Sequence, residues 1–179
     1  MKKALIGTLV GGLIIFIWQF LSWSALNIHG SEQQYTENQD IILECLGENL
    51  QEGHYFLPTV PPGTSSEDAQ SLMEEVIGQP WAQVSYHKSF EADMGMNMFR
   101  GLVIDWLAVY LLIWVFMKSS ELRFSPIFIG SLCVGFVGYL TIPYLNSIWF
   151  ETPTWGYIVD TAVQWGLVGA WLGWWLPRE

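Results

Sequence analysis

Long apolar runs dominate the chain, at residues 1–27, 99–117, 126–145 and 154–176. Each run is close to the roughly 20 residues that a helix needs to cross a hydrocarbon core about 30 Å thick. Because a lipid-exposed strand would leave its backbone polar groups unpaired, the runs are predicted to be helices. The pattern therefore predicts an all-α integral membrane protein with four transmembrane helices.

The first run also fits a cleavable signal peptide. Lys2 and Lys3 form a positive start, and Ser22 and Ser24 are small enough for a cleavage site before Ala25. Its apolar stretch is longer than the usual 7–15 residues of such peptides, which favours a retained anchor.

In the third run, Pro143 is expected to kink or stop the helix.

Between the first two runs, residues 28–98 have the polar and turn-rich pattern of a small α/β cap. A capping box at Thr36–Gln39 predicts a helix to about Leu50, and Ser65 or Ser66 predicts a second helix to about Ile77. Residues 54–57 and 81–86 are predicted to be strands. The order α-β-α-β follows.

Charge sets the expected orientation. Residues 28–99 contain twelve acids and one base, so this segment has a net charge of −11. The rest of the chain has a net charge of +1, which gives the total of −10. The bases that fall on one side of four alternating spans are Lys2, Lys3, Lys118, Arg123 and Arg178, whereas Lys88 and Arg100 fall on the other. The positive side is cytoplasmic, which predicts both termini inside and residues 28–98 outside. A net charge of −10 argues against a nucleic-acid partner.

Polar residues within the apolar runs are the strongest candidates for function. The predicted spans place four of them at similar depth: Gln19, Asp105, Asp160 and Gln164. Intramembrane carboxylates are costly unless paired, protonated or hydrated, so a polar cluster facing an outward-open cavity is the hypothesis. The alternatives are helices that begin deeper, which leaves both aspartates at the wet interface, and simple interhelical hydrogen bonds.

Small residues recur at helical spacing in three runs. They are Gly7 and Gly11, Ser131 and Gly135, and Gly166, Gly169 and Gly173. Such residues let helix backbones approach closely. Packing within one bundle is the simpler interpretation, and a face left for another subunit is the alternative.

A soft-metal site is the one cofactor hypothesis. Met94, Met96 and Met98 follow His87 beside the second run, and alternating thioethers on an extended chain suit Cu(I). Methionines that fill gaps at the membrane edge are the alternative.

Several short segments resemble a group of small bacterial inner-membrane proteins. They are Gly7–Gly12, Phe16–Trp18, Leu21–Trp23, Tyr55–Pro58 and Val84–His87. The resemblance implies one anchor, an outer segment, three further spans and a bacterial envelope location. It implies no activity and no catalytic residues.

Three functions fit these observations. The first, which is favoured, is a non-enzymatic accessory or scaffolding protein that binds the lipid bilayer and other membrane subunits or itself. The second is a small transporter or proton-coupled permeation unit that uses Asp105 and Asp160. The third is an extracytoplasmic Cu(I)-binding protein. The sequence contains no HExxH, GxSxG, P-loop or GxGxxG motif.

Overall fold

The protein folds as two compact units. A computed structural model describes residues 2–119 and 122–178, and the fold is mostly helical, at 66%. We call the described residues up to Gln34 and from Asp93 onward the bundle unit, and Tyr35–Ala92 the middle unit. The elements in chain order are α1 (Lys2–Phe20), α2 (Gln39–Asn49), β1 (Gly53–Leu57), α3 (Ser66–Glu75), β2 (Ala82–Tyr86), α4 (Met94–Phe116), α5 (Phe124–Tyr139), α6 (Leu145–Phe150) and α7 (Trp155–Trp175).

Three helical stretches are long and apolar enough to cross a membrane. They are Lys2–Ala25, Met94–Phe116 and Phe124–Phe150. The first includes a π-helical turn at Leu21–Ala25, and the third joins α5 to α6 through another at Leu140–Tyr144. The sequence also predicts α7 as a fourth span. This helix has 21 residues, but Asp160, Gln164 and its many tryptophans and glycines lower its apolar character.

The third stretch corrects one of the two predicted effects of Pro143, that it stops the helix. This proline neither stops nor ends the helix, because it lies inside the π-helical turn and the chain continues as α6 to Phe150. A wider turn accommodates a residue that has no N–H to donate to the helix. The helical stretch therefore extends to Phe150, beyond the predicted end of the third run at residue 145.

In the bundle unit, α1 packs between α4 and α7, and α7 also packs against α5. Close approach depends on glycine at α1: a Cβ on Gly12 would lie 2.9 Å from the backbone nitrogen of Trp106. The shared core is apolar, and it contains Ile15, Val109, Leu112, Ile113, Ile127, Val168, Leu172 and Leu176. Interhelical packing of this kind is what holds helices together where the surroundings are as apolar as the side chains.

The middle unit has the predicted order α2-β1-α3-β2. The two strands pair antiparallel, with Gly53 opposite Tyr86 and Leu57 opposite Ala82. Ser65 caps α3 by accepting a hydrogen bond from the backbone N–H of Asp68. The helix α2 begins at Gln39, after Asn38, and not directly after Thr36 as the capping box suggests.

The boundaries of the middle unit differ from the predicted segment of residues 28–98. Residues 28–34 group with the bundle unit, and α4 begins at Met94, before the predicted Phe99. The reason for the early start is a cap, because the side chain of Asp93 accepts a hydrogen bond from the backbone N–H of Met96 at 3.0 Å.

Candidate functional site

The bundle unit contains a buried polar centre around Asp160, near the start of α7. We call this end of the bundle, where α1 finishes and α7 begins, the His29 end. Two residues from the last turns of the first stretch donate to Asp160 Oδ1: the Trp18 indole at 2.9 Å and the Ser22 hydroxyl at 2.6 Å. The other carboxylate oxygen, Oδ2, lies 2.9 Å from Nε2 of His29. Both carboxylate oxygens of Asp160 are therefore satisfied inside the protein.

His29 lies between two carboxylates and is 4% exposed. Its Nε2 contacts Asp160, and its Nδ1 lies 2.8 Å from Oε1 of Glu32. The Trp23 indole stacks on the imidazole at 3.9 Å between ring centroids, and Tyr157 meets it edge-on at 5.2 Å. The aromatic rings fix the orientation of the imidazole, so both of its nitrogens remain directed at carboxylate oxygens.

Local backbone features bring His29 into this position. After the π-helical turn, Asn27 adopts a left-handed conformation with φ of 48°, which reverses the chain before Ile28. On the other side, a Cβ at position 156 would lie 2.6 Å from the ring atoms Cε1 and Nδ1 of His29. Only a glycine at the second residue of α7 leaves room for the imidazole.

The charge state of this centre follows from its contacts. Burial lowers the pKa of His29, but the hydrogen bonds and negative charges of Asp160 and Glu32 outweigh burial and raise that pKa above its ordinary value of 6.5. An ionised carboxylate only accepts hydrogen bonds, so both ring nitrogens must carry protons when both acids are ionised. The imidazolium form then pairs with two carboxylates.

This arrangement is a clamp between two segments of the bundle unit. It ties the segment after α1 to the first turns of α7 across 131 positions of sequence. The Ser22 hydroxyl donates to the Asp160 carboxylate and not to the imidazole, so Ser22 and His29 do not form a Ser–His pair. The chemistry available to the centre is proton binding by His29, with a change in how firmly the two helices are joined.

A second polar group lies deeper in the bundle. Gln19 Nε2 donates to Asp105 Oδ1 at 3.3 Å, and Asp105 is 6% exposed. Among the residues that the structure describes, Asp105 Oδ2 and Gln164 Oε1 are buried oxygens without a hydrogen-bond partner. Both are acceptors, and buried acceptors without donors are costly.

Helix periodicity indicates that Asp105 and Gln164 lie at a similar level along α4 and α7. A Cβ on Gly7 would contact both Ile113 of α4 and Leu172 of α7, so the two helices converge on one face of α1. Steps of four residues from Ile113 lead through Val109 to Asp105. The same steps from Leu172 lead through Val168 to Gln164. Val109 and Val168 are fully buried, and Asp105 and Gln164 each lie one turn beyond them, in the next layer along their own helices.

The four predicted polar residues thus divide into two groups. The structure brings Gln19 and Asp105 together, whereas Asp160 is engaged by Trp18, Ser22 and His29. Gln164 shares no hydrogen bond with either group, because its buried Oε1 has no hydrogen-bond partner. Sequence reasoning missed His29 and Glu32 as functional residues. The available signal was physical: an aspartate within an apolar helix needs a partner, and His29 is the basic side chain just beyond the end of the first apolar run.

The predicted small residues lie between helices of the same chain. Cβ atoms at the α1 positions would meet α4: Gly7 faces Ile113 at 3.0 Å and Gly11 faces Val109 at 2.8 Å. In the α5–α7 contact, Gly169 faces Ser131 at 3.0 Å. The remaining members of the set face side chains of the neighbouring helix in that contact: Gly135 faces Trp165, Gly166 faces Leu132, and Gly173 faces Phe124.

The three methionines do not lie on the extended backbone that the Cu(I) hypothesis assumes. Met94, Met96 and Met98 occupy the first turns of α4, where residues two apart point to opposite sides of the helix. His87 belongs to the middle unit, and the methionines belong to the bundle unit. Within residues 2–119 and 122–178, no three His, Cys, Asp or Glu side chains are arranged to hold a metal ion. That search does not address thioether ligands, so Cu(I) binding stays a prediction.

Comparisons with known proteins found no match: no protein-family model, no curated protein and no solved structure matches the chain.

Proposed function

We propose that the chain is a non-enzymatic four-span membrane protein that serves as an accessory or scaffolding subunit of a bacterial cell-envelope assembly. The fourth span in this proposal is α7, whose 21 residues give a length of about 32 Å, enough for a hydrocarbon core. Its packing against both α1 and α5 supports its place with them in the bilayer. The positive-inside asymmetry supports a cytoplasmic location for both termini.

One observation carries the accessory role: the middle unit has no core of its own. None of residues 35–92, all of which the structure describes, is buried. Large apolar side chains are nevertheless present there, and Ile41 and Phe90 are among the most exposed. A segment that folds locally but leaves its apolar side chains uncovered has the properties of a docking surface.

The helix α2 indicates the chemistry of the partner. Asp40, Glu44 and Glu48 repeat every four residues and form an acidic stripe on this helix. The exposed Ile41 and Cys45 lie directly beside that stripe. An apolar stripe with an acidic border fits a partner whose apolar residues are bordered by lysine or arginine.

Affinity purification of the full chain from its native membrane in mild detergent tests this role. We expect native mass spectrometry to show one partner at fixed stoichiometry, and we expect Ile41→Glu to release it. The matched control is Ile77→Glu, which makes the same substitution in the same unit at a residue with similar exposure, 78% against 69%. A clean monomer, or a partner that Ile41→Glu retains, contradicts the accessory role.

A second function, a proton-coupled permeation unit, is favoured by the layer of Asp105 and Gln164. Each of these residues has a buried acceptor oxygen without a partner, which a proton or a water that carries protons can occupy. Asp160 is less suited to this role than the sequence suggests, because its oxygens already accept from Trp18, Ser22 and His29.

Proteoliposomes with a trapped pH dye test the second function. If protons pass through this layer, Asp105→Asn abolishes the flux, and Glu91→Gln, an exposed position of the middle unit, leaves it unchanged. Equal flux in the wild type and Asp105→Asn removes this candidate.

A further inference from the structure

An apolar groove lies between the first half of α1 and the second half of α4. Its volume is about 650 Å³, which is within the range of ordinary ligand pockets of roughly 300–1,000 Å³. The groove extends along α4 from Trp106 to Met117, a length of about 16 Å at 1.5 Å per residue. It belongs entirely to the bundle unit and lies toward the end of that unit opposite the His29 end.

The walls of the groove are mostly hydrocarbon and aromatic, with the Thr8 hydroxyl as a polar group among them. Trp106, Tyr110 and Trp114 are spaced four residues apart, so they form one stripe along α4. Leu5 contributes to the facing wall on α1. Trp106 lies at one end, where its indole Nε1 donates to the backbone carbonyl of Leu9 on α1 at 3.1 Å. The occupant must therefore present a long apolar segment.

The open end of the groove is cationic. Lys2 lines it, and the Lys118 ammonium lies 5.0 Å from the ring centroid of Trp114, which is itself a wall residue. No aspartate or glutamate is among the described residues that line the groove. The occupant should therefore carry a negative group at one end of its apolar segment.

We propose that this groove binds one acyl chain of an anionic phospholipid, whose phosphate pairs with Lys2 and Lys118. The inference rests on the proposed bilayer placement and not on the accessory role. Selectivity must come from the lysines, because an acyl chain that enters the groove leaves an equally apolar medium and gains little from burial. Each lysine near an anionic headgroup contributes about a fivefold preference.

Native mass spectrometry of the full-length protein with defined lipids tests the charge requirement. A phosphatidylglycerol and a phosphatidylcholine with the same chains serve as probes. We expect the wild type to retain the anionic lipid at least tenfold more tightly, and we expect Lys2→Gln with Lys118→Gln to remove that preference. Arg178→Gln is the matched control, because Arg178 stacks on Trp174 in the last turn of α7 and does not line the groove.

Filling the groove tests its location independently of charge. Leu5→Trp should displace the retained lipid, whereas Leu13→Trp, an exposed α1 position outside the groove, should not. Equal retention of both lipids by the wild type, or equal behaviour of the two tryptophan variants, overturns the proposal. A stoichiometric polypeptide that Leu5→Trp releases also overturns it, because a protein helix would then occupy the groove. Failure of bilayer placement itself is separate, because it would appear as labelling of Cys133 in intact membranes.

Discussion

The bundle unit and the middle unit use similar side chains in opposite ways. In the bundle unit, Val109, Val168 and Leu172 are completely buried, and even the charged Asp160 and His29 are enclosed. In the middle unit no residue is buried, although its helices also contain isoleucine and leucine. The first unit is held by packing between helices, and the second by caps and one hairpin.

This difference shows where stability and recognition lie in the chain. Helices shorter than about 12–15 residues are marginal without tertiary packing, and α2 and α3 have 11 and 10 residues. Their apolar side chains are therefore available to an external partner. Substitutions in the bundle unit should change folding, whereas the same kinds of substitution in the middle unit should change binding.

The largest effect is expected from removal of the buried imidazole. His29→Ala leaves two carboxylates without their shared partner, and the free energy of unfolding should fall by about 3–5 kcal/mol. His87→Ala, at an exposed position of the middle unit, should change it by no more than about 0.5 kcal/mol. Unfolding in mixed micelles measures both. Equal small effects would show that the clamp does not hold the bundle.

A methyl group at the α1–α4 contact should have the next largest effect. In Gly12→Ala the new Cβ would meet the backbone of Trp106, with its Cα at 3.0 Å, and the unfolding free energy should drop by about 1–3 kcal/mol. Gly138→Ala adds the same methyl to α5 where no atom lies within 4 Å, so it should be neutral or slightly stabilising. If both variants unfold alike, α1 and α4 are not in close contact.

A pH dependence should follow from the raised pKa of His29. A group whose pKa is higher in the folded state stabilises the fold below its unfolded pKa of about 6.5, and this contribution is lost as pH rises through the folded pKa. The groups that face His29 are Asp160, Glu32, Tyr157 and Trp23.

Thermal unfolding of the wild type at a series of pH values measures this dependence. We expect melting temperature to decline from about pH 6.5 upward, and we expect His29→Gln to flatten the decline. His87→Gln should retain the wild-type slope. A decline that persists in His29→Gln would have to come from another group.

The smallest effect on stability is expected in the middle unit. Ile41→Ser changes a side chain that is already 69% exposed, so unfolding free energy should shift by no more than about 0.5 kcal/mol. Chemical denaturation of the full chain checks this value. A loss of several kcal/mol would mean that α2 is packed, and the unit would then no longer offer an uncovered surface.

The sequence predicted elements well where the signal is local. Run length predicted the helices of the bundle, and turn residues with alternation predicted the hairpin and the two short helices of the middle unit. The helix caps were only partly predicted: Asp93 caps α4, which begins at Met94, five residues before the apolar run. Pro143 does not stop the helix, which was one of its two predicted effects, because a π-helical turn accommodates its missing N–H.

The candidate site was less accessible to sequence reasoning because its contacts are distant in the chain. Spacing along α7 identifies Asp160 and Gln164, but it does not reveal that His29 lies against the first from 131 positions away. The glycine pattern similarly predicted close helix packing without showing which helices meet. These pairings depend on the register between helices, which no single segment encodes.

Reaction of the two native cysteines tests the central claim, that the bundle unit lies in a bilayer and the middle unit in water. Cys45 lies on α2 and Cys133 on α5, and both thiols are free and exposed on the protein surface. Maleimides react with the thiolate, which forms in water and not in hydrocarbon. In intact spheroplasts, a membrane-impermeant maleimide should label Cys45 and spare Cys133, and denaturation should make both reactive. Equal labelling of the two thiols before denaturation would contradict the account.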